Sequence, residues 1–146
     1  MATVQIPQNA ALLLATKEID WDNDTFKLIL CSNFTFDVDN DIEYSDVSGN
    51  ELSTGNGYTA GGETMSGGSV AVDDANNLAK RTFNNVTITA SGGNIGPYRV
   101  VIIYNDTVTN DPIMSAITYD SDQTILDGDS AVFESIVAKF ETPDST

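Results

Sequence analysis

Acidic side chains at every second position form the pattern in this sequence that comes closest to a known chemistry. The stretch DVDNDIE, residues 37–43, and the stretch DWDND, residues 20–24, both have this spacing. Alternating carboxylates begin the calcium-binding loop of an EF-hand, which also requires glycine at its sixth position and glutamate at its twelfth. Counted from Asp37, these positions hold Ile42 and Ser48. We therefore expect solvated acidic loops, with a weak calcium site of another type as the alternative.

The glycine-rich stretch 45–69 could in principle cradle a phosphate group. A P-loop requires a lysine followed by serine or threonine, and a helix N-terminus directed at the phosphate. No lysine lies between Lys27 and Lys80. The dinucleotide-binding fingerprint also fails, because no strand precedes the stretch and Ala60 stands three residues after Gly57. We expect these glycines to provide positive φ angles in tight turns instead.

Histidine, the side chain most often used as a general base, is absent from the sequence. Its absence also removes the usual activator of a serine or cysteine nucleophile and a common zinc ligand. A carboxylate pair for glycoside hydrolysis stays open as an alternative, but no pair is distinguished among the 22 acidic residues. We expect the single cysteine, Cys31, to be a small buried residue. The sequence therefore predicts a protein that is not an enzyme, with no catalytic residue, no cofactor and no metal ligand.

An excess of acidic residues restricts the partners that the protein can have. The 22 acidic residues stand against six basic ones, for a net charge of −16. Nucleic-acid binding depends on lysine and arginine displacing counterions from phosphates, so we expect no DNA or RNA partner. No apolar run approaches the ~20 residues that cross a bilayer, and no membrane partner is expected. The N-terminus lacks the basic residues of a secretory signal, and a single cysteine fits synthesis in a reducing cytoplasm.

Strands are the elements that must position any site in this chain. The segments with strand-like alternation or continuous apolar character are 25–31, 81–90, 97–104, 111–120 and 131–140. Turn residues separate them at intervals of about a dozen residues. The segment 97–104, PYRVVIIY, is almost entirely apolar, which predicts a central strand buried on both faces. The last segment places one predicted face at Val132, Ile136, Ala138 and Phe140.

The two ends of the chain and its middle differ from this pattern. Residues 1–8 alternate loosely around Pro7, which predicts an extended arm. Asn9 is a suitable N-cap for a short helix with the sequence NAALLLATKEI, and its inward side chains are expected to be Leu12, Leu13 and Leu14. Residues 33–69 are polar and then glycine-rich, as in long loops on a β scaffold.

The spacing of the strands predicts an all-β domain. We expect mainly an antiparallel sandwich, jelly-roll-like or immunoglobulin-like, with one short N-terminal helix and an extended N-terminal arm. The predicted boundaries are residues 1–8 for the arm, 9–140 for a single β-rich domain and 141–146 for a flexible tail.

Four segments of the sequence point to a family. They are LLLATKEIDWDNDTFKLILCSN, YSDVSGNELSTGNGYTAGGETMSG, PYRVVIIYNDT and DPIMSAITYDSDQT. In this order they resemble segments of the minor structural proteins of tailed bacteriophage virions, which are commonly described as decoration or cement proteins. The block 50–62, NELSTGNGYTAGG, is the most specific part, and Tyr44 stands where tryptophan is common in the family.

The resemblance implies a capsid decoration protein that binds the outer surface of the major capsid protein and stabilises the head. It also implies a homotrimer in the virion, synthesised in the host cytoplasm, with partner contacts expected at Thr3, Val4, Gln5, Ile6, Tyr58 and Thr59. The arm would add a strand to the sheet edge of a neighbouring subunit. The alternatives are a tail, fibre or head–tail connector component, and a carbohydrate-binding or calcium-dependent adhesion module.

Overall fold

In the computed structural model, residues 2–76, 78–134 and 137–141 are described, with the backbone alone at residues 78 and 137–141. The elements in chain order are β1 (Thr3–Gln5), α1 (Gln8–Ala15), β2 (Phe26–Cys31), α2 (Tyr44–Val47), a 3-10 turn (Ser48–Asn50), β3 (Glu63–Met65), β4 (Ser69–Asp73), β5 (Leu78–Thr82), β6 (Val86–Thr89), β7 (Ile95–Asn105), β8 (Ile113–Ile125), β9 (Ser130–Phe133) and β10 (Val137–Glu141). The protein is therefore all-β, as the sequence predicts.

The strands among the described residues form three antiparallel sheets. Five strands pair in the order β1-β8-β7-β2-β3, three in the order β10-β5-β4, and β6 pairs with β9. Strand β7 contains the segment 97–104 and lies in the middle of the largest sheet, so the predicted central strand is confirmed.

Strands β2 and β7 of the five-stranded sheet are buried on both faces, and their successive side chains point alternately into two cores. One face contributes Leu28, Leu30, Val101 and Ile103 to a core that also contains the inward residues of β6 and β9. The other face contributes Ile29, Cys31, Val100 and Ile102 to a second core. Phe36 and Val47, from the long connection between β2 and β3, cover this second face. Because both faces of β2 and β7 are covered by other parts of the chain, their sequences are almost continuously apolar.

The N-terminal segment belongs to the body of the protein. Strand β1 pairs with β8, with Thr3 opposite Thr118, so residues 3–5 form an edge strand of the chain's own sheet. Helix α1 follows Pro7 and ends at Ala15, shorter than predicted. The expectation for Leu12 is wrong, because this side chain is 58% exposed, whereas the next two leucines pack against the core. Three consecutive helical residues span roughly 200° of the helix surface and cannot all face inward.

The sequence prediction of one helix omits α2, a single turn in the connection between β2 and β3. A reciprocal capping box starts this helix: the Glu43 side chain accepts the N–H of Asp46, and the Asp46 carboxylate accepts the N–H of Glu43 at 3.0 Å. A capping box satisfies two backbone donors at once, so even a four-residue turn holds its position. It places Tyr44 beside the sheet.

The single strand predicted for residues 131–140 is wrong, since this segment contains two strands in different sheets. Strand β9 pairs with β6, and β10 pairs with β5. In β9 the buried side chain is Phe133, while Val132 is half-exposed, so the inward face is opposite to the predicted one. Ile136, the side chains of Ala138 and Phe140, and residues 142–146 of the predicted tail lie outside the described residues.

Candidate binding surface

Glu51 is the centre of a hydrogen-bond network in the glycine-rich stretch. Its carboxylate accepts hydrogen bonds from the Tyr58 hydroxyl at 2.6 Å, the Tyr44 hydroxyl at 2.5 Å and the N–H of Gly61 at 2.7 Å. The Tyr58 hydroxyl in turn accepts the N–H of Leu30 at 3.1 Å. Bonds to a charged acceptor are among the stronger ones in proteins, so the stretch is fastened firmly to β2.

A second tyrosine pair fixes the same stretch to β7. The rings of Tyr44 and Tyr104 stack with their centroids 4.8 Å apart. The Tyr104 hydroxyl donates a hydrogen bond to the Gly61 carbonyl at 2.6 Å. Both polar groups of Gly61 therefore bind to this cluster, and the loop is held against two neighbouring strands.

The tyrosine hydroxyls of this network and the neighbouring Cys31 thiol stay protonated at neutral pH. Burial raises the pKa of Tyr58 and of Tyr44, and the hydrogen bond to the Glu51 carboxylate raises both further. Burial also raises the pKa of the Cys31 thiol to about 12, with a contribution from the Glu51 charge. Because the thiolate is the reactive form of cysteine, Cys31 is inert in this position. Because these groups keep their protons, the hydrogen bonds from Tyr58 and Tyr44 to Glu51 persist and hold the glycine-rich stretch in one conformation.

Gly57 of this stretch is required by close approach of the backbone. Asn56 and Gly57 have φ angles of 56° and 99°, and they connect Gly55 and Tyr58, which exchange two backbone hydrogen bonds. This Asn-Gly turn is typical of two-residue hairpins. A Cβ atom on Gly57 would lie 2.3 Å from the Thr89 carbonyl oxygen. The prediction of positive φ angles in tight turns is confirmed here.

The residues expected to contact a partner do not form one patch. Val4 is half-exposed on the edge strand β1, and Thr59 is exposed. Tyr58 is only 1% exposed, and its side chain supports the loop instead of facing a partner. The Tyr58 hydroxyl is hydrogen-bonded to the N–H of Leu30 in β2. Within the sheet, β1 and β2 are three strand spacings apart, or about 14 Å.

Two acidic loops share one geometry. We call residues 20–24, DWDND, the first acidic loop and residues 37–41, DVDND, the second acidic loop. In each, the first carboxylate accepts the N–H of the third residue and the side-chain amide of the fourth, and the last carboxylate accepts the N–H of the first residue. These distances are 3.1, 2.9 and 2.9 Å in the first loop and 3.0, 2.8 and 2.7 Å in the second.

The internal hydrogen bonds explain the electrostatics of both loops. The asparagine amides of Asn23 and Asn40 are the main reason why the pKa of Asp20 and that of Asp37 lie below the usual value, and backbone N–H donors add to the effect. Within the residues that the structure describes, no group of three or more acidic, cysteine or histidine side chains is arranged to hold a metal ion.

The first acidic loop lies near a buried cation. Arg81 is 7% exposed, donates a hydrogen bond to the Trp21 carbonyl, and has its guanidinium over the rings of Phe26 and Phe83 at 5.1 and 4.6 Å. Burial lowers the pKa of Arg81, and the three carboxylates of the loop oppose this. A buried cation thus attracts the carboxylates of this loop from the protein side.

The second acidic loop forms one wall of an open groove. The groove has a volume of about 390 Å³ and is lined by Gln8, Asn9, Leu12, Val38, Asp39 and Ile42. Helix α1 forms the opposite wall and has no charged residue in its first or last turn. Among the described residues, no lysine or arginine forms an ion pair with the carboxylates of this loop. Here the negative charge faces solvent beside exposed apolar surface.

Comparison with protein-family models, with curated proteins and with solved structures finds no match to this chain. No helix among the described residues is long and apolar enough to cross a bilayer.

Sequence reasoning missed the two features that organise this surface. Arg81 begins the strand-like segment 81–90, and its burial depends on packing against Phe26 and Phe83, which no local pattern encodes. The exposure of Leu12 and the groove beside it depend on where α1 lies against the second acidic loop. The spacing of Glu51 and Tyr58 within the glycine-rich block was a usable signal, since a carboxylate and a phenol on either side of a tight turn readily bind each other.

Proposed function

We propose that the protein is a capsid decoration protein of a tailed bacteriophage, synthesised in the host cytoplasm. It binds the outer surface of the major capsid protein and stabilises the head. One observation carries the proposal: in the block 50–62, the most specific part of the resemblance, Glu51 binds both Tyr58 and Gly61. The Glu51 carboxylate, the Tyr58 hydroxyl and the Gly61 N–H are thus linked by hydrogen bonds, and the block is a rigid scaffold. A stiff loop on a β body is suited to adhesion to a lattice.

The distribution of charge supports the outer face of the capsid. The chain has a net charge of −16, and its described ion pairs join Lys27 to Asp106, Lys80 to Asp73 and Arg99 to Asp122. Few cations remain for phosphate groups, and packaged DNA repels such a surface. On the outside, the same charge keeps particles dispersed.

Self-association into a homotrimer is part of the proposal. Strand β4 is an edge strand of the three-stranded sheet, and its Val72 is 73% exposed. The exposed valines of this edge, Val70 and Val72, are available for contact between copies of an otherwise acidic chain. Light scattering on the purified protein measures this directly: a trimer is expected, and a monomer at the highest soluble concentration would remove this part of the proposal.

Counting copies per particle tests the proposed function. Quantitative densitometry of purified virions is expected to give hundreds of copies, in proportion to the capsid lattice. A count of about three, six or twelve would favour a tail, fibre or connector position instead. Absence of the chain from virions would contradict the proposal altogether.

The adhesion module is the second candidate. The observation that favours it is the Asp39 carboxylate in the second acidic loop, which has no hydrogen-bond or ion-pair partner among the described residues. A calcium ion bound to the native state would raise the thermal midpoint by mass action. We expect no shift on addition of millimolar calcium, because Asp37 and Asp41 already accept hydrogen bonds from the loop itself. A clear upward shift would favour the adhesion module.

A further inference from the structure

We infer that the groove between α1 and the second acidic loop is the docking site for the major capsid protein. The inference rests on the proposed function and specifies the contact. The occupant is a capsid segment in which a large apolar side chain lies next to a lysine or arginine. The apolar side chain enters the groove at Leu12, and the cation binds at Asp39.

Leu12 is the apolar contact that the fold leaves open. The side chain is 58% exposed, and it lies across the groove from Val38 and Ile42, which are half-buried. Val38 packs against the second core of the protein, so the floor of the groove is continuous with a rigid interior. An apolar side chain placed here would be removed from water on several sides.

Asp39 is the charged contact that the fold leaves open. The flanking carboxylates of Asp37 and Asp41 accept hydrogen bonds from backbone and amide donors that close the loop. Asp39 takes part through its N–H alone, and within the described part of the chain its carboxylate accepts no hydrogen bond and forms no ion pair. A cation of the partner could therefore bind Asp39 without dismantling the loop.

Charge complementarity selects the class of partner. A second copy of this chain would bring a further charge of −16, and its Lys27, Lys80 and Arg99 already pair with its own carboxylates. Nucleic acid and anionic lipid surfaces would be repelled by the loop. A basic segment of a different protein gains both the Coulomb attraction and the apolar contact, and opposite charges speed the encounter.

Photo-crosslinking on phage heads tests the site. The cross-linking amino acid p-benzoylphenylalanine is placed at position 12 and, as the matched control, at position 126, where Leu126 is similarly exposed at 55% but lies away from the groove lining. We expect position 12 to cross-link to a capsid peptide that contains lysine or arginine close to a large apolar residue, and position 126 not to. Cross-links from position 126 alone, or from position 12 only to copies of the same chain, would overturn the docking site.

Binding of purified variants to heads stripped of the protein gives the size of each contribution. Leu12→Asp is expected to weaken binding about tenfold or more, because a buried leucine contact is lost. Asp39→Asn is expected to weaken it about two- to fivefold and to reduce its dependence on salt. The controls Leu126→Asp and Asp22→Asn should bind like wild type.

Circular dichroism and unfolding midpoints verify that each variant is folded, and Asp39→Asn serves as the second variant should Leu12→Asp unfold. Wild-type affinity in folded Leu12→Asp and Asp39→Asn would overturn the docking site while leaving the proposed function intact. Failure of the wild-type protein to bind heads would overturn both.

Discussion

The first and second acidic loops have four of five residues in common and close the same internal hydrogen bonds, yet their charges have different surroundings. The first loop lies near the buried Arg81 guanidinium. The second loop borders a groove and has no cation paired to it among the described residues. Local sequence thus determines the shape of such a turn, whereas the packing around it determines whether a buried cation acts on its carboxylates.

The two loops differ in sequence only at their second residue, and this residue has different surroundings in each loop. Trp21, in the first loop, packs against the core that contains Phe26 and Phe83. Val38, in the same position of the second loop, packs against the opposite core and also lines the groove. A large aromatic side chain ties the first loop to the interior. The smaller valine leaves open space beside the second loop.

Among the substitutions that distinguish the two loops, removal of the buried Arg81 should change the free energy of unfolding most. Arg81→Met is expected to lower the free energy of unfolding by about 3 kcal/mol, because the three loop carboxylates lose their counter-charge and the Trp21 carbonyl loses its donor. Urea denaturation measures the change. The control Arg99→Met removes a more exposed arginine, 3.6 Å from Asp122, and should cost about 1 kcal/mol or less. Equal losses in the two variants would contradict the internal role of Arg81.

Truncating the differing residue should have the next largest effect. Trp21→Ala is expected to cost about 2 kcal/mol, since a half-buried indole leaves the core. Val38→Ala should cost about 1 kcal/mol, because a smaller and half-buried side chain is removed. The same denaturation experiment compares the two variants. A larger loss of stability from Val38→Ala than from Trp21→Ala would mean that the second loop, and not the first, is the one tied to the interior.

Acid should weaken both loops alike. The pKa of Asp20 and that of Asp37 are lowered in the folded state, so their stabilising effect is complete above the unfolded pKa and is lost as the pH falls through the folded pKa. Asp20→Asn and Asp37→Asn should each be less stable than wild type at neutral pH. The difference should shrink below about pH 4. A difference that stays constant down to strongly acidic pH would show that the charged form of these carboxylates contributes nothing.

The smallest changes in stability are expected for the third residue of each loop, Asp22 and Asp39, and these changes should have opposite signs. Asp22→Asn removes a charge that attracts Arg81 and should lower the free energy of unfolding by less than about 1 kcal/mol. Asp39→Asn removes a charge that has only other carboxylates nearby in its loop, and it should leave stability unchanged or raise it slightly. Thermal midpoints at low ionic strength resolve the two. The same sign in both variants would mean that the loops have similar electrostatic surroundings.

The sequence predicts the β class, the central position of residues 97–104 and the turn role of the glycines because each depends on a local signal. Alternation, continuous apolar runs and Asn-Gly pairs are read directly from neighbouring residues. The alternation within the segment 81–90 has the same origin: in β6, Val86 and Ile88 are buried and Thr87 is exposed.

The candidate site depends on contacts between distant residues, and for this reason little of it could be predicted. Arg81 reaches the Trp21 carbonyl across 60 positions of the chain. The groove joins α1 to a loop about 30 residues later. The division of 131–140 into two strands also reflects which sheet each half joins, and periodicity within the segment does not encode this.

A cryo-EM reconstruction of the phage head, at a resolution that shows side chains, would locate the chain and its capsid contact at once. We expect the chain on the outer capsid surface, with the groove at Leu12 and Asp39 closed by an apolar and a basic side chain of the major capsid protein. Density for the chain inside the head or on the tail, or a groove that faces solvent in every copy, would contradict this expectation.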